Sequence, residues 1–236
     1  MAPRRKSTNT AVKTRSEKRA KPGLTHESIV AAAMAVIERD GYKNLTMRKL
    51  GKELGVNPMS VYYHIPNKMA LTDALVEVIM SSIDLTLDDP GKKPEERAVN
   101  AAYIYRDALL AHPTLIAAVA SRGPRTPSSL RPVEVLISIF VDAGMEINDA
   151  YVSMNALATF VRGYVAREVS SKPGFQQTGE QTQTARPARP LPAEEFPNLV
   201  KVDTNSECCG LEAIFDRGTR ALIRGLLETY VKNKEA

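Results

Sequence analysis

The sequence predicts an all-α protein in which an N-terminal three-helix helix-turn-helix domain precedes a larger helical domain. From Leu24 onward, apolar residues recur at the 3.6-residue spacing of helices, and no sustained alternation indicates strands. Three segments also share one helix-opening signature, a Thr or Asn cap with an apolar residue one position before it and another four positions after it. With 43% hydrophobic residues among 236, the chain can bury a core.

The opening signatures place the first three helices. These helices and their caps are 25–39 with Thr25, 46–53 with Thr46, and 58–64 with Asn57. Gly41 ends the first helix, and Gly55 turns the chain after the second. Pro58 stands at the first helical position of the third, where its missing N–H leaves no hydrogen bond unmade.

Helix-breaking residues divide the next part of the chain into separate helices. A fourth helix is expected from about Asn67 to Asp88, where Asp-Asp-Pro-Gly stops it. The next helix opens at Pro94, with two Glu residues at its positive end, and closes at His112-Pro113. A short segment at 114–121 then leads into a Pro/Gly loop at 122–124.

The last third contains two more long helices and a change in composition. One helix carries the apolar residues from Val133 to Gly144, and Asn148 is expected to cap a long helix that reaches about Ser171. The following segment is rich in Gln, Thr and Pro, so a flexible loop is expected over 172–205. Ser206 is expected to begin the last helix.

Positive charge is concentrated at the N-terminus. Residues 1–23 hold eight Lys or Arg against Glu17 alone, whereas the whole chain has a formal net charge of +5. This segment lacks apolar periodicity, so it is expected to be a disordered basic arm. Such an arm can lie along DNA phosphates or in a minor groove, and a solubilising tail without a partner is the alternative.

The segment 45–64, LTMRKLGKELGVNPMSVYYH, carries the strongest functional pattern. Two short helices joined by a tight turn have to cross closely if the second is to enter a DNA groove. Gly51 supplies the small residue at the crossing, and Gly55 supplies a turn that adopts positive φ. Because apolar residues at Leu50 and Val61 agree in register with both caps, the segment predicts a DNA-binding helix-turn-helix.

Side chains left exposed by this packing are the candidates for DNA contact. Short polar groups and aromatic hydroxyls at a helix N-terminus suit base edges and phosphates. Guanine readout is assigned to Arg48, with a solvated charge as the alternative. For Tyr62 and Tyr63 the alternative is that at least one of them, Tyr63 above all, packs into the core. The candidates are Thr46, Arg48, Pro58, Met59, Ser60, Tyr62, Tyr63, His64 and Lys68.

Other classes of protein find little support. No G-x-S-x-G, Walker or H-E-x-x-H sequence indicates an enzyme, and the three His residues are too scattered for a metal site, so no cofactor or metal is expected. No apolar run approaches the ~18 residues of a membrane helix, and no secretory signal is present, so a cytoplasmic protein is expected. Cys208 and Cys209 are interpreted as two small helix residues, with a thiol-sensing pair as the alternative.

The stretch Thr25 to Leu75, above all LTMRKLGKELGVNPMSVYYHIPNKMALTDAL, resembles the DNA-binding region of TetR-family repressors. The run Val61-Tyr62-Tyr63-His64, followed by Asn67-Lys68 and Leu71, is a specific mark of that family. A weaker similarity continues to about residue 170 through RDALLAHPTLIAAVA, GPRTPSSL and LATFVRGYVARE. These stretches resemble the tetracycline-repressor subtype of C-terminal domain.

The resemblance implies a transcriptional regulator of double-stranded DNA. It divides the chain into the arm at 1–23, a DNA-binding domain at 24–70, and an effector-binding and dimerisation domain at 71–236. The protein is expected to be a homodimeric repressor that binds a palindromic operator and is released from it by a small-molecule effector. Activation, ligand-induced binding and non-specific architectural DNA binding are the alternatives.

Glycines support the implied dimer, in which the long helix near 148–171 and the last helix form a four-helix bundle with their counterparts. Gly163 lies in the former helix, and Gly218 and Gly225 lie on one face of the latter. Each costs ~1 kcal/mol relative to Ala inside a helix. Close approach of another backbone is one reason to keep them, and chance or a kink is the alternative.

Polar residues on the helices that the resemblance assigns to the effector cavity are candidates for effector contact, and a satisfied core or surface group is the alternative for each. They are Asn100, Tyr103, His112, Asn155, Thr159 and Arg162. The metal-coordinating His residues of the tetracycline repressor have no counterpart, because Val119 and Thr159 stand at those positions. A magnesium–tetracycline complex is therefore not expected to bind.

Overall fold

A computed structural model describes residues 24–171, 191–202 and 210–231, and these residues form nine α-helices and no strand. The all-α prediction is confirmed. The helices are α1 (His26–Asp40), α2 (Met47–Leu54), α3 (Pro58–His64), α4 (Lys68–Ser81), α5 (Pro94–Ala111), α6 (Ile116–Ser121), α7 (Pro127–Asp142), α8 (Ile147–Ser170) and α9 (Leu211–Tyr230). None of these is both long and apolar enough to cross a membrane.

Several expectations fall outside the described residues. They concern the basic arm at 1–23, most of the loop at 172–205, the helix start at Ser206, and Cys208 with Cys209. The described part of the loop, residues 191–202, contains a single 3₁₀ turn at Leu199–Lys201.

The predicted caps open the first three helices. Thr25 Oγ1 accepts the backbone N–H of Ser28 at 3.2 Å, and Ser28 Oγ accepts that of Thr25 at 2.9 Å. Thr46 and Asn57 accept a backbone N–H of α2 and of α3 at 3.2 and 2.9 Å. Each bond satisfies a donor that a helix leaves without a partner.

The fourth helix ends at Ser81 and not at the predicted Asp88. The hydroxyl of Ser82 donates to a carbonyl one turn back at 2.8 Å, which competes with continuation of the helix. The carboxylate of Asp84 then caps a separate 3₁₀ turn at Leu85–Leu87. Apolar spacing alone gave no sign of this interruption.

The start of α8 also differs from the prediction. Gly144 has a φ of +98°, and the N–H of Met145 donates at 3.2 Å to a carbonyl in the last turn of α7. This turn buries Met145 and leads directly into a helix that begins at Ile147. Glu146 therefore holds the cap position, and Asn148 lies inside the first turn.

A continuous hydrophobic core joins α1 to α9, and two clusters of charge lie within its C-terminal half. Arg106 of α5 pairs with Glu168 of α8 at 3.0 Å and with Glu212 of α9 at 2.9 Å, and its guanidinium lies 4.8 Å from the ring centre of Phe215. Because both Arg106 and Glu168 are buried, this cluster ties three helices together at one point.

The second cluster surrounds Arg97, which is also buried. Its guanidinium makes two bonds to Asp88 at 2.8 and 2.9 Å and one to Asp142 at 2.7 Å. These bonds hold the segment before α5 and the end of α7 against α5. Hydrogen bonding to Arg97 lowers the pKa of Asp88.

The three glycines that suggested a dimer interface differ in their surroundings. A Cβ on Gly218 would lie 2.7 Å from Cζ of Phe160, so the missing side chain is explained by a ring of the same chain. A Cβ on Gly163 or Gly225 would meet nothing within 4 Å. Of the three, these two leave space that a second chain can fill.

Candidate DNA-binding surface and cavity

The crossing of α2 and α3 depends on two glycines, as the sequence predicts. A Cβ on Gly51 would lie 3.1 Å from the backbone N and Cα of Pro58 at the start of α3. Gly55 adopts a left-handed conformation with φ +65° and ψ +31°, and the N–H of Val56 donates to the carbonyl of Gly51 at 2.9 Å. The turn is therefore both tight and hydrogen-bonded.

Apolar residues hold this pair of helices from beneath. Leu50, Val61 and Ile65 are almost completely buried. The opposite side of α3 presents Met59 and Tyr63, which are 63% and 90% exposed. The alternative that Tyr62 or Tyr63 packs into the core is wrong, because both side chains are exposed and Val61 and Ile65 face the core instead.

All nine predicted DNA contacts keep accessible side chains. Seven are exposed and two are half-buried; the exposed ones are Thr46, Arg48, Met59, Tyr62, Tyr63, His64 and Lys68, and the others are Pro58 and Ser60. They all lie between the cap of α2 and the first turn of α4. The arrangement offers hydroxyls, rings and two cations over α2, α3 and the first turn of α4.

Some cations of this region form ion pairs with carboxylates, and others do not. Asp40 pairs with Arg39 at 3.1 Å and with Lys49 at 3.0 Å, and Arg39 also pairs with Glu53 at 2.9 Å. Within the described residues, Arg48 has no ion pair and remains exposed. The Lys68 ammonium lies 5.4 Å from the centre of the Tyr42 ring. Arg48 and Lys68 are thus cations of this surface that no carboxylate of the described residues neutralises.

Tyr42 also connects this surface with the rest of the chain. Its hydroxyl lies 3.0 Å from Thr72 Oγ1 on α4 and 3.3 Å from Ser121 Oγ at the end of α6. The residue therefore joins the α1–α2 turn to two helices of the larger part.

The loop between α6 and α7 is bonded directly to α4. Arg122 makes a two-pronged bond to Asp73, one branch of which measures 2.9 Å. The carboxylate of Glu77 accepts bonds from the hydroxyls of Thr126 and Ser128. These hydroxyls lower the pKa of Glu77, although burial opposes them as the largest single effect. A displacement of the loop would therefore act on α4.

A cavity of about 460 Å³ lies behind that loop, between α4, α5, α6, α7 and α8. This volume falls in the range of small-molecule sites. Its wall is mostly apolar, with residues such as Ile104, Leu136 and Val161. Ser121, Arg122 and the two residues that follow them form part of the same wall. The cavity is thus in direct contact with the loop that is bonded to α4.

The cavity brings three of the six predicted effector contacts together. Asn100, Asn155 and Arg162 line it, whereas Tyr103, His112 and Thr159 do not. The Asn100 amide donates to the carbonyl of Leu87 at 2.8 Å. The other two lie on α8, seven residues apart and so on one face.

The remaining three candidates have other surroundings. Tyr103 donates to Asp216 of α9 at 3.2 Å and meets the Phe215 ring edge-on at 5.0 Å; burial and, next, Asp216 raise its pKa. His112 caps the end of α5. Thr159 is exposed and accepts a bond from Arg162 at 3.0 Å.

Sequence reasoning missed several polar residues of the cavity wall. Tyr105 and Tyr151 line it together with Arg97 and Arg122. Helical spacing gives a signal for both tyrosines. Tyr151, Asn155, Ala158 and Arg162 follow the i, i+4, i+7, i+11 spacing of one face of α8. Tyr105 shares one face of α5 with Arg97, Ala101 and Ile104, at the spacing i, i+4, i+7, i+8.

No group of three or more His, Cys, Asp or Glu that is suited to a metal ion occurs among the described residues. Val119 lies in the cavity wall, where it offers an apolar surface, and Thr159 lies outside the wall. The expectation that a magnesium complex does not bind here stays a prediction.

Two family models match the chain. The model "Bacterial regulatory proteins, tetR family" matches residues 29–75, and the model "Tetracyclin repressor-like, C-terminal domain" matches residues 88–230. The tetracycline repressor protein class D of Escherichia coli is 30% identical over 215 residues, which cover 86% of this chain and 88% of that protein.

Solved structures share the fold. ActR of Streptomyces coelicolor in complex with actinorhodin matches with a TM-score of 0.70 at 24% identity, over 87% of this chain and 98% of that one. A single-residue variant of TetR of Acinetobacter baumannii in complex with minocycline matches with a TM-score of 0.62 at 23% identity, over 87% and 98%. The chain therefore belongs to the TetR family of bacterial regulatory proteins, and it is a DNA-binding transcriptional regulator with a tetracycline-repressor-like C-terminal domain and not an enzyme.

Proposed function

We propose that two copies of the chain bind a palindromic operator as a repressor and that a small molecule in the cavity releases them. One α3 helix reads one half-site, so that two helices about 34–36 Å apart are needed to enter successive major grooves. The open surfaces at Gly163 and Gly225 support pairing through α8 and α9. Residues 24–70 form the DNA-binding domain of this proposal, and residues 71–236 bind the effector and the second copy.

A single observation carries the regulatory part of the proposal: one loop both lines the cavity and is bonded to α4. Arg122 belongs to the cavity wall and pairs with Asp73, and Thr126 a few residues later bonds Glu77. A molecule that prefers a different loop position shifts α4, and with it α3, by its differential affinity for the two states. The complexes of ActR and of the TetR variant, which hold a small molecule on the same fold, support this use of the cavity.

The DNA-binding part is tested by two substitutions with different expected signatures. The operator is first selected from a random duplex library at moderate salt, where a specific regulator enriches a two-fold symmetric site. Arg48→Gln is expected to weaken binding by about 1–3 kcal/mol and to relax preference at one position of each half-site. Lys68→Gln is expected to weaken binding to every sequence and to lower the salt dependence by about one counterion per half-site.

Fluorescence anisotropy at several salt concentrations separates these results. Lys92→Gln, an exposed lysine far along the chain from α2 and α3, is the control and is expected to change neither property. The proposal fails if the library yields no preferred sequence, or if Arg48→Gln and Lys68→Gln behave as the control does.

A further inference from the structure

Three of the five charged side chains of the cavity wall pair with opposite charges among the described residues. Of the arginines that line it, Arg97 is bonded to Asp88 and Asp142, and Arg122 is bonded to Asp73. These guanidinium groups hold helices together and have little left to offer to a ligand.

Arg162 differs from the other two. Its guanidinium donates to the neutral hydroxyl of Thr159 at 3.0 Å, and no carboxylate of the described residues pairs with it. It also interacts with the hydroxyl of Tyr105 across the cavity wall. Because a guanidinium keeps its proton at every physiological pH, the half-buried Arg162 presents a permanent positive charge without a counter-ion among the described residues.

The acidic groups of the wall do not offset this charge. Asp88 is bound by Arg97. Asp84 is exposed, and its carboxylate already accepts the N–H and the hydroxyl of Thr86 at 2.9 and 2.6 Å. Asp84 and Arg162 are therefore the charges of the described wall that lack an oppositely charged partner, and Arg162 is the more buried of the two.

Tyr105 adds a hydrogen-bond donor beside this charge. Burial raises the pKa of Tyr105 by more than the nearby Arg162 lowers it, so the phenol keeps its proton at neutral pH. Asn155 lies on the same stripe of α8 two turns from Arg162, about 10 Å along the helix. The remaining wall between these polar groups is apolar.

We infer that the effector is an organic anion: a mostly apolar molecule with one carboxylate, sulfonate or phenolate group, which Arg162 and Tyr105 bind while the apolar wall covers the rest. The fork of N–H donors on a guanidinium can bond two oxygens of a carboxylate or sulfonate at once, and its positive charge also attracts a phenolate. The inference rests on the proposed use of the cavity as the effector site and adds the chemical class of its ligand.

Two dyes of the same skeleton test this charge preference. The anion 8-anilinonaphthalene-1-sulfonate and the neutral N-phenyl-1-naphthylamine both fluoresce in apolar sites, and they differ in the sulfonate. Fluorescence titration of the purified chain is expected to show one site per protomer with a lower Kd for the anion. Arg162→Gln is expected to raise the Kd of the anion about tenfold or more and to leave that of the neutral dye unchanged.

Controls locate the dye and exclude a loss of folding. Arg131→Gln removes an exposed arginine of α7 that does not line the cavity, and it is expected to change neither Kd. Ala158→Phe fills the cavity from α8 and is expected to abolish binding of both dyes. Thermal unfolding of each variant confirms that the fold is retained.

Each outcome decides one of the two claims. A neutral dye that binds as tightly as the anion, or an anion affinity that Arg162→Gln leaves unchanged, overturns the inference while the cavity remains a ligand site. Absence of saturable binding for both dyes, or binding that persists in Ala158→Phe, counts against the cavity itself and so against the proposed function.

Discussion

Gly51 is the residue at which α2 and α3 leave the least room. The 3.1 Å separation between an added Cβ and Pro58 involves backbone atoms of Pro58, which cannot swing aside as a flexible side chain would. Any larger residue must therefore push one short helix away from the other, and α3 is the helix that carries Met59, Tyr62 and Tyr63 outward.

Gly51→Val is accordingly expected to lower the free energy of unfolding by about 1–3 kcal/mol through overpacking and to reduce operator affinity. Urea unfolding and anisotropy with the selected operator measure the two effects. Lys52→Val places the same side chain at the next, exposed position of α2 and is expected to change the unfolding free energy much less. Equal stability of the two variants would contradict the crossing at Gly51.

The local features of the DNA-binding part were predictable because they follow short-range rules. Thr25, Thr46 and Asn57 cap the helices that they were predicted to cap, and Gly55 adopts the left-handed turn. The exposure of Tyr63 was not predictable with the same rules. How far each tyrosine turns outward depends on the rotation of α3 against α1 and α2, and a helix of seven residues is too short for its apolar spacing to fix that rotation.

At the scale of elements, charged bonds between helices set the geometry of the larger part. Arg97 ties Asp88 and Asp142 to α5, and Asp73 and Glu77 tie α4 to the loop before α7. These bonds join residues up to 51 positions apart in sequence. Sequence periodicity describes each helix alone, so it predicted the existence of α4 and α8 but placed the end of one and the start of the other incorrectly.

The bond between Arg97 and Asp88 is expected to make stability depend on pH. The pKa of Asp88 is lowered in the folded chain, so its contribution is complete above the unfolded pKa of about 4 and is lost as pH falls through the folded value. Asp88→Asn is expected to destabilise the chain at pH 7, and its difference from wild type is expected to shrink as pH falls below about 4.

Urea unfolding between pH 7 and pH 3 tests this expectation. Glu134→Gln, which removes an exposed carboxylate of α7, is the control and is expected to follow the wild-type curve. A deficit of Asp88→Asn that stays constant over the whole range would show that the salt bridge contributes no pH dependence.

For the whole molecule, the question is how two copies meet. Gly163 and Gly225 open onto empty space, whereas Gly218 is covered by Phe160 of the same chain. Sequence reasoning grouped all three because they share a helical face or a residue type. It could not distinguish Gly218 from the other two, because the contact between the Phe160 ring on α8 and Gly218 on α9 depends on tertiary packing.

Gly225→Leu is expected to yield monomers that bind a half-site poorly, because the new side chain occupies the space proposed for the second copy. Size-exclusion chromatography with light scattering measures the mass. Glu38→Leu, which adds the same side chain to an exposed position of α1, is expected to leave the mass unchanged. A dimer mass for Gly225→Leu would exclude this face from the interface.

The cavity is a property of the whole molecule as well. Its wall combines Met80, Asn100, Val119, Leu136 and Arg162 from five helices. The family resemblance indicated which helices surround it, and three of the six residues chosen on them line it. Of the other three, Tyr103 packs against Phe215 of α9, His112 lies at the end of α5, and Thr159 lies on the exposed side of α8.

The cluster at Arg106 has a consequence for how an assembled pair would transmit motion. Since Glu168, Glu212 and Phe215 meet one buried guanidinium, α9 is anchored to the body of the protomer as firmly as a core helix. The exposed surface of α9 that is proposed to contact the second copy would therefore move together with the rest of its protomer. The distance between the two α3 helices would then depend on rotation of whole protomers and on movement of α4. Movement of α9 within a protomer would contribute little to it.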